Sequence, residues 1–374
     1  MPEPACQPAA AGADQCLGRH SAAHLQTTIQ HAFVQACRLD VLVRKPGNVS
    51  LASPGHRMTA QQFSASAQAA AAGLCQRGAS VGQRIEAAVR ASWQAAGCNT
   101  NLGIVLLCAP LAAAAERCAL AAETPSPGWP PPADALRQAL QQVLAGLTLA
   151  DADAAFRAIT LANPGGLGRA PAQDVHASAS IDLRAAMALA ADRDSIARQY
   201  RDGYADLFDL ALPSLASMPG YGPGFSPTRG ARPDADGGLP HGLLHAFTAA
   251  AVQRVFLVFL AGWPDSHIVR KHGAALAHSV MTAAQPWALR ATTGERVADD
   301  PRWADWDARL KQQAINPGTS ADLTVATLML HALLSTDDSD DGTERDNSSS
   351  GAVVQACADQ TQNPIQEIEH HGKN

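Results

Sequence analysis

The eight cysteines of this 374-residue chain never form a C-x-x-C pair. Cys98, Cys108 and Cys118 recur at a ten-residue spacing that fits no zinc site, so reduced, mostly buried thiols in a cytoplasm are the expectation. Positive charge is also short. Lys and Arg number 28 against 34 Asp and Glu, a net charge of −6, which excludes a general nucleic-acid binder but not a local basic pocket for one phosphorylated ligand. Aromatic residues make up 5% of the chain. The longest apolar run, Leu102 to Ala115, falls short of the ~20 residues of a membrane span, and Pro110 interrupts it. Met1 to Asp14 lacks the basic region and apolar core of a secretory signal. No H-E-x-x-H, G-x-S-x-G or Walker loop occurs.

What is present is alanine and helical periodicity. Thr59-x-x-Gln62 and Ser80-x-x-Gln83 are capping boxes, and apolar stripes follow both. Further stripes run through Leu136, Leu140 and Leu147, through Leu183 and Met187, and through Leu244, Phe247, Ala251, Val255 and Phe259. Ile196, Tyr200, Leu207 and Phe208 form another, which Pro213 should end. No stretch alternates with period two. The expectation is an all-α protein, one compact domain of about ten helices over residues 27–335. Tails at 1–26 and 336–374 should be disordered, because they have too few apolar residues to offset the entropy of ordering. A proline-rich linker at 123–133 and a flexible Gly/Pro loop at about 218–242 interrupt the domain.

Five polar clusters sit at helix junctions, where backbone N–H groups can be aimed at an anion. Arg44-Lys45-Pro46-Gly47-Asn48 offers cations beside a glycine that admits close backbone approach. Asn99-Thr100-Asn101 precedes the most apolar segment, and one helix cap explains only one of these residues. Asn163-Pro164-Gly165-Gly166-Leu167-Gly168-Arg169, with Asp174 beyond, is a glycine-rich loop carrying a cation. Asp265-Ser266-His267 leads into Arg270-Lys271-His272, a basic run in a charge-poor chain. Asn316-Pro317-Gly318-Thr319 leads to Asp322, a carboxylate at a helix mouth suited either to the helix dipole or to magnesium. Each cluster alone also fits an ordinary cap or turn.

Taken in order, the clusters resemble the triphosphoribosyl-dephospho-coenzyme A synthase family. The matching pieces are Lys45-Pro46-Gly47-Asn48-Val49, Gly55-His56-x-Met58, Phe63-x-x-Ser66-Ala67, Gly82-x-x-Ile85-Glu86 and Asn99-Thr100-Asn101-Leu102-Gly103. They continue with Pro164-Gly165-Gly166-Leu167-Gly168, Asp174-Val175, Pro264-Asp265-Ser266-His267-Ile268, Arg270-Lys271-His272-Gly273 and Asn316-Pro317-Gly318-Thr319-x-Ala321-Asp322-Leu323. The citrate-lyase branch reads Asn-Thr-His-Lys-Gly at 99–103, so a basic pair is absent here. It also places Glu six residues before the motif lysine, where this chain has Leu39, followed by Asp40.

The resemblance implies an all-helical enzyme that takes ATP and a dephospho-CoA-like acceptor, releases adenine, and makes a prosthetic-group precursor. The motif variants are similar to a branch found in archaea and C1-metabolising bacteria. They leave open related ribosyl-phosphate transfer in making a methanopterin-type C1 carrier, and a non-catalytic helical nucleotide-binding protein. For substitution at ribose C1′, the resemblance points to Asp174, Asp265 and Asp322 as catalytic carboxylates, with Asp265 and Asp322 also on Mg2+. Lys45, Arg169, Arg270 and Lys271 would hold phosphates, and Asn99, Thr100 and Asn101 would orient ribose or base. Asn48, Gly166, Gly168, His272, Asn316 and Thr319 complete the expected ATP site. Lys45, Asn99, Asp174, Lys271 and Asp322 are expected to face one shared pocket. No nucleic-acid or membrane partner is expected, and the sequence gives no oligomeric state.

Overall fold

A computed structural model of the chain describes residues 11–120, 129–165, 168–170, 172–218 and 246–335. Among these residues it is all-helical: fourteen α-helices, a π-helical stretch at Asp206–Ala211, a short 3-10 turn at Val297–Asp299, and no strand. The helices are α1 (Ala11–Leu42), α2 (Ala60–Leu74), α3 (Val81–Ala96), α4 (Leu102–Leu120), α5 (Ala133–Ala145), α6 (Leu149–Ala162) and α7 (Leu183–Ala188). They continue with α8 (Ser195–Asp202), α9 (Leu212–Ala216), α10 (Ala246–Gly262), α11 (Ser266–His272), α12 (Ala274–Thr292), α13 (Pro301–Gln312) and α14 (Gly318–Leu333). The count exceeds ten because short helices such as α7, α9 and α11 are too brief to show a periodic stripe.

α4 and α14 form the centre. Both are apolar all round and buried along nearly their whole length, as expected of helices without a solvent face. α1, α4 and α10 pack against α14, while α2, α3 and α6 pack in series outside. A smaller core lies under α12 and α13, where Trp287 stacks on Trp306 and Trp303 meets both edge-on. The capping boxes at Thr59 and Ser80 form as the sequence predicts.

Two proline expectations need correction. Pro110 does not interrupt its apolar segment; α4 runs through it for 19 residues. A proline at 110 removes the bond to the carbonyl of Leu106, and Tyr200 Oη donates to that oxygen at 2.6 Å, with Tyr204 Oη on Leu107 O at 2.9 Å. α4 is thus long and apolar enough to cross a membrane, but 78% of the qualifying window is buried inside the protein. Pro213 does not end its segment; the π-helical stretch runs directly into α9, with Leu212 N bonded to Leu207 O and Pro213 in the first turn of α9.

α1 starts at Ala11, within the stretch 1–26 expected as a tail. Residues 1–10, the linker at 121–128, most of the Gly/Pro loop (219–245) and the segment 336–374 lie outside the described residues. Cys37, Cys75, Cys98, Cys108 and Cys118 are free; Cys37, Cys75 and Cys108 are buried and Cys98 and Cys118 half-buried.

Candidate active site

Three of the polar clusters meet through direct contacts of backbone and side chain. Gly47 takes a positive φ of 80°, and a side chain there would come within 2.8 Å of Ile315 O and of the Pro317 ring. The turn after α1 therefore lies directly on the turn before α14. Asn48 Nδ2 donates to Asn316 Oδ1 at 3.1 Å, and Gly47 N donates to Asp307 Oδ1 at 2.9 Å. Asp265 joins the third cluster. Its Oδ1 caps α11 through the N–H groups of His267 and Ile268, and its Oδ2 accepts from Ser320 N and Oγ at 2.7 and 2.8 Å.

These contacts frame a cavity of about 540 Å3. Of the residues expected at the site, Asn48, Asn99, Thr100, Gly168, Asp174, Arg270, Lys271, Asn316 and Asp322 line it. Lys45, Asn101, Arg169, Asp265, His272 and Thr319 do not, and Gly166 lies outside the described residues. Four of the five residues expected to share one pocket therefore do so, and Lys45 is the exception. Its side chain is fully buried, with Nζ bonded to the backbone oxygen of Asp40 and 3.0 Å from Asp40 Oδ1. It faces a carboxylate rather than the cavity. Asp265 is likewise buried behind the wall, with two donors on each oxygen and no free face for a cation. Arg169 and His272 are exposed, and Asn101 and Thr319 are packed behind the lining.

The lining divides by chemistry. Lys271 reaches out from α11 across Gly165, whose missing side chain leaves room for the lysine stem. Arg193 and Arg270 add cations, Arg270 being held by Asp194 at 2.9 Å. Asp174 Oδ1 accepts from His176 N (2.9 Å) and Nδ1 (2.7 Å), and its Oδ2 accepts from Ala170 N (2.9 Å). Those bonds hold its carboxyl down to about 2, so it is a poor proton acceptor and a good tie for the loop around it. Asn99 Oδ1 accepts from Leu102 N at 3.2 Å and Thr100 Oγ1 bonds Ser66 Oγ at 2.7 Å. One of the three polar residues before α4 is a cap after all, and it lines the cavity as well.

Asp322 is the anomaly. Its carboxylate has no hydrogen bond or ion pair among the described residues, and it lies against Gly103, where a Cβ would sit 2.1 Å from Oδ2. Burial first, then Asp40 and Asp265, push its carboxyl well above the usual range. Asp40 also lines the cavity, raised by burial against the opposing pull of Lys45.

The sequence names Asp40, His56 and His267 in its motifs without a site role and gives Arg193 and Asp194 no mention, yet all five line the cavity. Asp40 had a signal in its five-residue distance from Lys45, which lets a helix end fold the lysine back on it. Arg193 and Asp194 had none beyond an Asp-Arg-Asp run, because α8 reaches the cavity only through packing. Among the described residues no group of three or more His, Cys, Asp or Glu is placed to hold a metal ion by itself.

No curated protein matches the chain. Among solved structures it is similar to one from Archaeoglobus fulgidus whose name gives a triphosphoribosyl-dephospho-CoA synthase. The identity is 18%, over 73% of this chain and 98% of that one, with a TM-score of 0.49. The CitG family model, described as ATP:dephospho-CoA triphosphoribosyl transferase, matches residues 26–222 and 241–341. That match takes in every cavity-lining motif, and the chain belongs to this family of transferases.

Proposed function

We propose that the chain transfers the triphosphoribosyl unit of ATP to the ribose hydroxyl of 3′-dephospho-CoA with release of adenine. The observation that carries this is one cavity in which a cationic rim, Lys271, Arg193 and Arg270, stands over two raised carboxylates, Asp40 and Asp322. A triphosphate needs the first, because the chain as a whole is negative. Substitution at C1′ needs the second. The C1′–N9 bond breaks, a C1′–O bond forms, and the sugar passes through a cationic, oxocarbenium-like state.

Asp40 is the group that takes the proton of the entering hydroxyl and faces the developing positive charge. Lys45 keeps it ionised inside the protein, while burial keeps it more basic than an exposed aspartate. Asn48, Asn99, Thr100 and Asn316 orient sugar and base, and Lys271 holds the phosphates. Asp265 positions α11 against α14. Asp322, an unpartnered carboxylate in the cavity, fits magnesium of the kind that ATP brings, with one protein carboxylate and the remaining ligands from phosphate and water. The ion would neutralise triphosphate charge there.

A second reading keeps the ATP half and changes the acceptor. Leu102 lines the cavity at a place where the citrate-lyase branch carries a basic residue, so an acceptor with less negative charge, such as a methanopterin-type C1 carrier precursor, also fits. Incubation with ATP, Mg2+ and a panel of acceptors, with adenine read by chromatography and the product by mass spectrometry, tests both. Adenine released only with dephospho-CoA supports the first reading, and only with a pterin the second. No adenine with any acceptor defeats the transfer itself.

A further inference from the structure

Asp194 and Arg270 both line the cavity, and they come from different helices. Asp194 is the residue before α8, and Arg270 stands in the last turn of α11. The two oxygens of Asp194 have separate partners. Oδ1 caps α8, accepting from Ile196 N at 2.9 Å and Ala197 N at 3.2 Å, while Oδ2 accepts from Arg270 Nη1 at 2.9 Å. Of the other guanidinium nitrogens, Nε is sealed from solvent without a partner, whereas Nη2 is not sealed and makes no hydrogen bond among the described residues. The guanidinium is held at one end and open at the other.

The ion pair is not needed to dock the two helices. Ser195 N donates to Ser266 Oγ at 2.9 Å, and both residues are buried, so a neutral contact already fastens the start of α8 to the start of α11. The side chains of Arg270 and Asp194 are 25% and 24% exposed, and a pair that wet contributes little to stability. What it fixes is direction. Lys271, the next residue on α11, lines the same cavity with no hydrogen bond or ion pair among the described residues, so its stem is free to turn. Arg270 has given up that freedom. Asp322 shares this part of the cavity: burial, then Asp40 and Asp265, raise its carboxyl, while Arg270 pulls it down and Asp194 pushes it up.

We propose that Asp194 is a positioning residue, which fixes the Arg270 guanidinium so that Nη2 meets the triphosphate of ATP. This rests on the transfer proposed above. A cation already fixed in place loses little freedom when the polyanion arrives, whereas Lys271 supplies charge without direction. The arrangement has a cost, because it puts a carboxylate in a site for a polyanion. By charge alone Asp194 opposes triphosphate binding; through Arg270 it favours it. The sign of the change when that charge is removed tells which effect wins.

Asp194→Asn tests this, because asparagine caps a helix as well as aspartate does. With its oxygen on α8, it turns an amide donor toward the guanidinium. The readout is calorimetric binding of tripolyphosphate with Mg2+ to the wild type, Asp194→Asn, Arg270→Ala and the double variant, with kcat and KM for ATP from adenine release beside it. Asp194→Asn should weaken tripolyphosphate binding and raise KM for ATP, each by about tenfold, with kcat lowered less than about threefold and Tm unchanged. On Arg270→Ala the same change should cost nothing further. Unchanged or tighter tripolyphosphate binding by Asp194→Asn overturns the proposal, and so does an equal weakening with and without Arg270. If Asp194→Asn or Arg270→Ala does not fold, Asp194→Ser, another good cap, or Arg270→Met, which keeps the apolar stem, takes its place. A wild type that does not bind tripolyphosphate overturns the proposal as well. A wild type that binds it but releases no adenine with any acceptor defeats the transfer, while the tripolyphosphate comparison still decides on Asp194, so the two failures are distinct.

Discussion

Lys45 and Arg84 are both buried against carboxylates, and the two pairs differ in what is left over. Arg84 is closed. Its Nε donates to Ala79 O, Nη1 to Leu74 O and Nη2 to Glu116, whose other oxygen accepts Gly78 N at 2.8 Å. The pair ties the end of α2 to α3 and α4, and neither residue lines the cavity. Lys45 is open. It binds Asp40 and the backbone oxygens of Asp40 and Val43, but Asp40 Oδ1 has only the lysine's charge beside it, and its residue lines the cavity. A buried charge pair with every lone pair answered is architecture; one with spare acceptor capacity toward a cavity is available for chemistry.

Four substitutions break or sharpen that contrast. Asp40→Asn should have the largest effect, slowing turnover by about 10²- to 10⁴-fold, the range for a lost acid–base group, with the fold intact by circular dichroism. Arg84→Met should do the reverse. It strands Glu116 and should lower unfolding stability by about 3–5 kcal/mol in a denaturant titration, while the folded fraction keeps its activity. Lys45→Met should combine a large loss of turnover with a smaller stability loss than Arg84→Met. Asp40 neutralises itself by taking a proton once its cation is gone, so the same titration should separate the lysine variant from the arginine variant.

Asp322→Asn is the smallest effect on the fold and the most diagnostic. Its carboxyl is raised in the folded protein above the ordinary 3.8, so the folded state binds a proton more readily than the unfolded chain. That contribution favours folding below about 3.8 and is lost as pH rises through the folded value. At pH 7 the asparagine should therefore raise Tm, with the gain shrinking as pH falls toward 4, while weakening the dependence of turnover on magnesium. A lower Tm at pH 7 would show that the carboxylate has a stabilising partner.

Much of the fold was legible because helices declare themselves locally. The Thr59 and Ser80 boxes and the stripes on α2, α3, α5 and α10 depend on neighbours within a turn or two. Pro110 misled for the same reason: its repair comes from Tyr200, far along the chain. The site was legible as a set of clusters, since glycines and polar residues at helix junctions stand out in an alanine-rich chain. Lys45 and Asp265 were placed in the right neighbourhood with the wrong direction. A sequence shows that a charged side chain sits at a junction but not which way the helix end turns it.

The sequence by itself determined the all-helical class, the family, and the junctions that gather around one cavity, because periodicity, caps and collinear motifs are properties of order along the chain. Tertiary structure alone decided which of those residues meet solvent space. Asp265 is saturated by Ser320 and the start of α11, Lys45 is turned onto Asp40, and the Nε2 of His267 is left without a partner among the described residues. The reason is that a polar group's chemistry depends on which donors and acceptors remain unsatisfied, and that is fixed only when helices distant in sequence close around it.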